Sequence, residues 1–217
     1  MKLKINTIYR ILTSLILFAL LYLIYSFDIA LVSFLLLIGI FSVIEFSFLI
    51  EKIVKSKRKK FFINSFFILY IFSFCVIFFI FSNFIQLKIL IFIILFGCIF
   101  SDIGGFVFGN FFKGAKLTKI SPKKTISGSI GSLIFSYMII QTFSFYILGV
   151  ISYEILLISI VTSIACQTGD LFFSFLKRKA KVKDTGNFLP GHGGILDRVD
   201  GILLGLPSGL IFFFLIH

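Results

Sequence analysis

The sequence predicts an all-α, polytopic integral membrane protein with about seven transmembrane helices. Three observations predict it. Apolar residues make up 59% of the 217 and charged residues only 14%, with a mean hydropathy of +1.14; soluble domains are nearer half apolar and a quarter charged. The apolar residues come in runs of about 20, the length that crosses a bilayer as a helix. The lysines and arginines collect in the loops between those runs.

The chain starts M-K-L-K-I-N-T-I-Y-R and enters an apolar run over 11–27. No small-residue cleavage site follows and a second run begins at once, so this reads as a retained anchor rather than a signal peptide. Asp28 breaks the first run, and the second covers 29–50. Glu45 lies inside it, as much a functional flag as a carboxylate that snorkels to the surface. A basic loop, E-K-I-V-K-S-K-R-K-K, spans 51–60. The third run covers 61–81, Ser82 and Asn83 mark a turn, and the fourth runs from 85 past 100. After a polar loop come a fifth over 129–148 and a sixth over 154–176. The last run, 201–216, has 16 residues and rises about 24 Å, so it must thin the bilayer or lie against protein. Its Gly205, Pro207 and Gly209 suggest a kinked or packed helix. Residues 1–100 read as scaffold spans and 101–217 as a catalytic region, in one integrated domain.

The net charge is +12. In a soluble protein that would point to nucleic acid; here, with the charge in loops, it points to membrane orientation. With the N-terminus in the cytoplasm, twenty of the twenty-one Lys and Arg lie inside and only Lys88 outside, as the positive-inside rule requires. The expected location is the cell (inner) membrane, with the N-terminus and both motif loops cytoplasmic. Cys75, Cys98 and Cys166 each lie in an apolar run without a C-x-x-C pair, so they read as buried, inert thiols.

Chemistry concentrates in two stretches. In the sixth run Gln167, Asp170, Ser174, Lys177 and Arg178 form a polar stripe at helical spacing. A carboxylate at that depth costs ~2.5–3.5 kcal/mol, so it faces protein or a watery cavity. Asp170 alone could be glue between helices, and Asp200 alone a helix cap. With Asp197 added, three acids at one membrane boundary suit a divalent cation; Mg²⁺ takes hard oxygen ligands and shares them with substrate phosphates. Between them, L-P-G-H-G-G-I offers backbone N–H groups to an anion at Gly191, Gly193 and Gly194, with His192 as a phosphate ligand, an acid or base, or a packed ring. No Walker A loop occurs. The second stretch, 101–128, carries Asp102 and then I-S-P-K-K-T-I-S-G. Ser121, Lys123, Lys124, Thr125 and Ser127 could cradle a triphosphate or form a solvated basic loop.

These residues resemble the CDP-diacylglycerol synthase (phosphatidate cytidylyltransferase) family. Its signature runs S-x-x-K-R, four residues, K-D-x-G, two residues, L-P-G-H-G-G, two residues, D-R-x-D. Here it stands as Ser174, Lys177, Arg178, Lys183, Asp184, Gly186, Leu189 to Gly194, Asp197, Arg198 and Asp200. The S-D-x-G and S-P-K-K-T elements upstream are similar too, so the match covers roughly the C-terminal half. Two positions depart: Gly201 stands where the family usually has Ser, and Ile126 where an aromatic commonly follows the threonine.

The resemblance implies a Mg²⁺-dependent transferase that makes CDP-diacylglycerol and pyrophosphate from CTP and phosphatidate. Asp170, Asp197 and Asp200 would hold the metal. Lys123, Lys124, Lys177, Arg178 and Arg198 would cover phosphates, and Asp102 would complete the metal or nucleotide shell. A second cation and a homodimer stay open. No nucleic acid partner is expected. Two alternatives remain: a related cytidylyltransferase or kinase acting on an isoprenoid lipid, and a cation-coupled transporter, which poorly explains two phosphate-type loops on one face.

Overall fold

Six apolar runs become six helices. The computed structural model describes residues 19–118, 121, 124–149, 151–186 and 193–216. In order the helices are α1 (Asp28–Ile53), α2 (Lys57–Ser82), α3 (Ile85–Phe112), α4 (Ile126–Phe143), α5 (Tyr153–Lys179) and α6 (Leu196–Ile216). All six are long and apolar enough to cross a membrane, α4 together with the π-helical turn Ser144–Leu148 that extends it. There is no strand among the described residues. The expected first span lies mostly outside them; its residues 19–26 are helical and are separated from α1 by the extended Phe27.

Two boundaries differ from expectation. The basic loop over 51–60 shrinks to 54–56, because Lys57 to Lys60 form the first turn of α2. The last helix begins at Leu196, not 201. Its 21 residues rise about 31 Å, which corrects the expected short span and removes the need to thin the bilayer. The apolar count missed its first turn because that turn is polar, carrying Asp197, Arg198 and Asp200.

Small residues set the packing. In lipid, helices gain little from burying apolar area, so close backbone approach has to supply the attraction. Ser101, Gly105 and Gly109 recur every four residues on α3. A Cβ on Gly105 would stand 2.6 Å from Ser132 Oγ of α4. On α6 the same period gives Gly201, Gly205 and Gly209. Cβ atoms on the first two would lie 2.6 Å from Cys166 Sγ and 2.8 Å from Cys98 Sγ. Both thiols are free and fully buried at these crossings, as their setting in the sequence suggests. Large side chains instead cover the outer face of α2, where Phe61, Phe62, Phe66 and Leu69 are exposed and suit lipid.

Pro207 lies inside α6. It has no N–H, which leaves the carbonyl of Leu203, four residues earlier, without its helical partner. The Tyr70 hydroxyl of α2 donates to that carbonyl. Tyr70→Phe should therefore cost about 1–3 kcal/mol by orphaning a buried acceptor. Thermal unfolding in detergent checks this, and Pro207→Ala, which restores the N–H, should recover most of the loss.

At the end of the bundle where α1 and α3 begin, Lys88 Nζ lies 3.1 Å from Asp28 Oδ1 and over the Tyr25 ring. The one lysine assigned by sequence to the far face is therefore neutralised locally. The other end carries the loops between α3 and α4 and between α5 and α6.

Candidate active site

The ends of α3 and α5 and the starts of α4 and α6 enclose a cavity of about 480 Å³. Each wall follows from local sequence. Lys113 ends α3 in the left-handed region. The chain then folds back on itself, with Leu117 N–H donating to Lys124 O and Ile126 N–H to Ala115 O. That return aims Lys124 inward, where it pairs with Asp170 of α5. Thr125 caps α4, its hydroxyl accepting from Gly128 N–H at 3.1 Å. The positive end of the α4 dipole, with Thr125, Gly128 and Ser129, therefore lines the cavity.

Lys177 joins α5 to α6. Its ammonium lies 2.7 Å from Asp197 Oδ1 and 3.6 Å from Asp200 Oδ2. Asp197 is fully engaged, because its other oxygen accepts from Thr185 N–H at 2.9 Å and Gly194 N–H at 3.0 Å. Asp200 is buried and accepts from Gly201 N–H. The carboxylates of Asp102, Asp170 and Asp200 are close enough to repel one another, while Lys124, Lys177 and Arg198 stand around them in the same lining.

Most of the expected residues converge. Asp102, Ser121, Lys124, Thr125, Asp170, Lys177, Asp197, Arg198 and Asp200 all face this cavity, so Asp170 is turned towards Asp197 and Asp200. Gly193 and Gly194 sit beside it; Gly193 has φ 82°, which favours glycine. Ser174 lies behind the lining and donates to Asp170 Oδ1 at 3.3 Å. Arg178 and Lys183 are exposed and do not line the cavity; Arg178 is about 100° round the helix from Lys177. Lys123, Gly191 and His192 lie outside the described residues.

Two further residues of the lining, Asp184 and Gln167, and one behind it, Glu45, have no site role legible in the sequence. Asp184 was in the signature without a role. Gln167 was on the polar stripe, and it accepts from Ser129 Oγ at 2.5 Å while donating to Ser163 Oγ at 3.2 Å. Glu45, from α1, holds the base of the glycine-rich turn; its depth in an apolar run was the only sequence signal.

The donor chemistry fits Mg²⁺. Asp170 and Asp200 present hard oxygens to one cavity, and with Lys124 on Asp170 and Lys177 on Asp197 and Asp200, each acid would release a cation to take an ion. Among the described residues no three His, Cys, Asp or Glu side chains form a ready cage. An ion there would draw on Asp170, Asp200 and one further carboxylate, with substrate phosphates completing its shell.

A sequence profile described as the cytidylyltransferase family matches residues 2–216, nearly the whole chain. The chain belongs to the cytidylyltransferase family. Among curated relatives, the phosphatidate cytidylyltransferase of Rickettsia felis is 40% identical over 126 residues, covering 53% of this chain and 55% of that one. That of Staphylococcus haemolyticus is 44% identical over 109 residues, 49% of this chain and 42% of that one. That of Synechocystis is 37% identical over 136 residues, 59% and 44%. The chain spans about half the length of the curated relatives it matches. The departures from the cytidylyltransferase pattern have a local setting here. Gly201 packs on Cys166, where a serine Cβ would crowd Sγ, and Ile126 is exposed, outside the cavity lining.

Proposed function

We propose that this protein transfers a cytidylyl group from CTP to phosphatidate, giving CDP-diacylglycerol and pyrophosphate. The observation that carries this is one cavity, at the loop-bearing end of a membrane bundle, lined by both carboxylates and cations. The names of the curated relatives support the choice of substrates. The distribution of Lys and Arg supports placing that end in the cytoplasm, in a cell membrane.

A phosphate oxygen of phosphatidate attacks the α-phosphorus of CTP, and the bond to the β-phosphate breaks as pyrophosphate leaves. The nucleophile is already an anion, so no general base is required. Repulsion is the obstacle: two unit charges ~4 Å apart cost about 4 kcal/mol at an effective dielectric near 20. Lys124, Lys177 and Arg198 offset it, with Lys123 assigned the same role. Lys124 and Lys177 now rest on Asp170, Asp197 and Asp200, and incoming phosphates would draw them off. The N-terminus of α4 offers N–H groups to the same anions, and Gly191 to Gly194 are assigned as further donors. Mg²⁺, held by Asp170 and Asp200 with Asp102 or Asp197, would supply charge neutralisation at the phosphates.

Purified protein in detergent with CTP, phosphatidate and Mg²⁺ should release pyrophosphate and CDP-lipid in equal amounts. Chelation of Mg²⁺ should abolish both products, and restored Mg²⁺ should recover them. Failure to form CDP-lipid would overturn the assignment. Product with an isoprenoid phosphate but not with phosphatidate would move it to another lipid acceptor.

A further inference from the structure

We propose that Glu45, on α1, is a positioning residue that clamps the base of the glycine-rich turn and so keeps Asp197 in register with Lys177. The inference rests on the cytidylyl-transfer reading for its activity readout only.

Glu45 is 6% exposed, and it is the one carboxylate of α1 away from the helix ends, which carry Asp28 and Glu51. Its carboxylate is satisfied by one segment of the chain about 150 residues away. Oε2 accepts from the Thr185 hydroxyl at 2.6 Å and from Leu196 N–H at 2.9 Å, and Oε1 accepts from Ile195 N–H at 2.9 Å. No Lys or Arg among the described residues is ion-paired with it. Two of the three donors are free N–H groups at the start of α6, where a carboxylate suits the helix dipole. Glu45 thus caps a helix from a different helix.

The same segment is gripped from its other side. Asp197 Oδ2 accepts from Thr185 N–H and Gly194 N–H. Thr185, 2% exposed, therefore gives its hydroxyl to Glu45 and its amide to Asp197. Two carboxylates close the base of the turn, and Glu45 is one hydrogen-bonded residue removed from the Asp197–Lys177 pair. The glycines record the fit. A Cβ on Gly186 would stand 2.7 Å from Glu45 Oε1, and one on Gly194 would collide with both Glu45 Oε2 and Thr185 Oγ1. The short side of the clamp therefore requires glycine on both arms.

Glu45→Gln has nearly the same shape but turns an NH₂ towards at least one donor. In the full-length protein it should lower kcat about tenfold or more while the KM for phosphatidate stays within about twofold. Glu45→Asp, with the carboxylate drawn back by one methylene, should fall between Gln and wild type. Hydrogen exchange followed in parallel should quicken at 184–186 and 193–196 while α3 and α4 keep wild-type protection. Wild-type turnover and wild-type exchange in Glu45→Gln would overturn the clamp. Faster exchange throughout α5 and α6, with both substrates' KM values disturbed, would make Glu45 a general folding contact and also overturn it. Wild-type protein without CTP turnover would remove the reaction, and the exchange pattern alone would then decide the grip.

Discussion

Asp197→Asn should abolish turnover while the protein still inserts into the membrane. Asp197 has one oxygen on the Lys177 ammonium and the other on two backbone amides, Thr185 and Gly194. Asparagine offers a single acceptor. If it faces the amides, its NH₂ meets an ammonium; if it faces the ammonium, it meets two N–H donors. Breaking a buried pair by neutralising one partner costs about 3–5 kcal/mol, much of it from the charge left behind. If that loss falls on the transition state, it is about 10²- to 10⁴-fold in rate. Membrane fractionation tests insertion and CDP-lipid formation tests turnover. A variant that works near normally would mean that neither metal binding nor the hold on the turn depends on this carboxylate.

Lys177→Met should be as damaging to activity and more so to stability. Among the described residues, Lys177 is the cation that ion-pairs with both Asp197 and Asp200. Both acids are largely enclosed, with Asp102 and Asp170 near Asp200. Without the ammonium they face one another with little water to screen them, again a penalty of about 3–5 kcal/mol. The thermal midpoint in detergent should drop, and adding Asp200→Asn should recover part of that drop by removing one of the stranded charges. Activity should not return, because the cation that would meet the phosphates is still missing. Recovery of both together would make Lys177 a structural counter-ion only.

These expectations depend on contacts that differ in how readily a sequence discloses them. Asp170 and Lys177 were legible because seven residues on one helix keep them on one side, a consequence of the backbone period alone. Asp197 and Asp200 were legible as a pair for the same reason. Their company with Lys124 was not, since the return of the chain after α3 that aims Lys124 at Asp170 depends on backbone bonds between 115–117 and 124–126. Arg178 shows the limit of spacing. It counts four from Ser174 and still lies off the cavity, because a stripe of that width covers more of the helix than the cavity does.

Glu45 marks the same boundary from the other direction. A lone carboxylate in an apolar run announces that something satisfies it, because lipid cannot. What satisfies it lies about 150 residues on, and no local rule reaches that far. The start of α6 is hidden for the same cause: the acids that make its first turn look like loop are what that turn needs once Glu45 and Lys177 are beside it.

By itself the sequence determined that this chain crosses a membrane several times, which end of the bundle is positive, and which residue types meet there. Those follow from transfer energies and helical period, which act on each segment alone. Only the tertiary structure decided the pairings, namely Lys177 with Asp197, Lys124 with Asp170, Glu45 with the turn and Tyr70 with the carbonyl that Pro207 leaves open. Each joins segments far apart in the chain, and a charge or orphaned polar group buried in a bundle takes its partner from whichever helix the small-residue packing brings alongside.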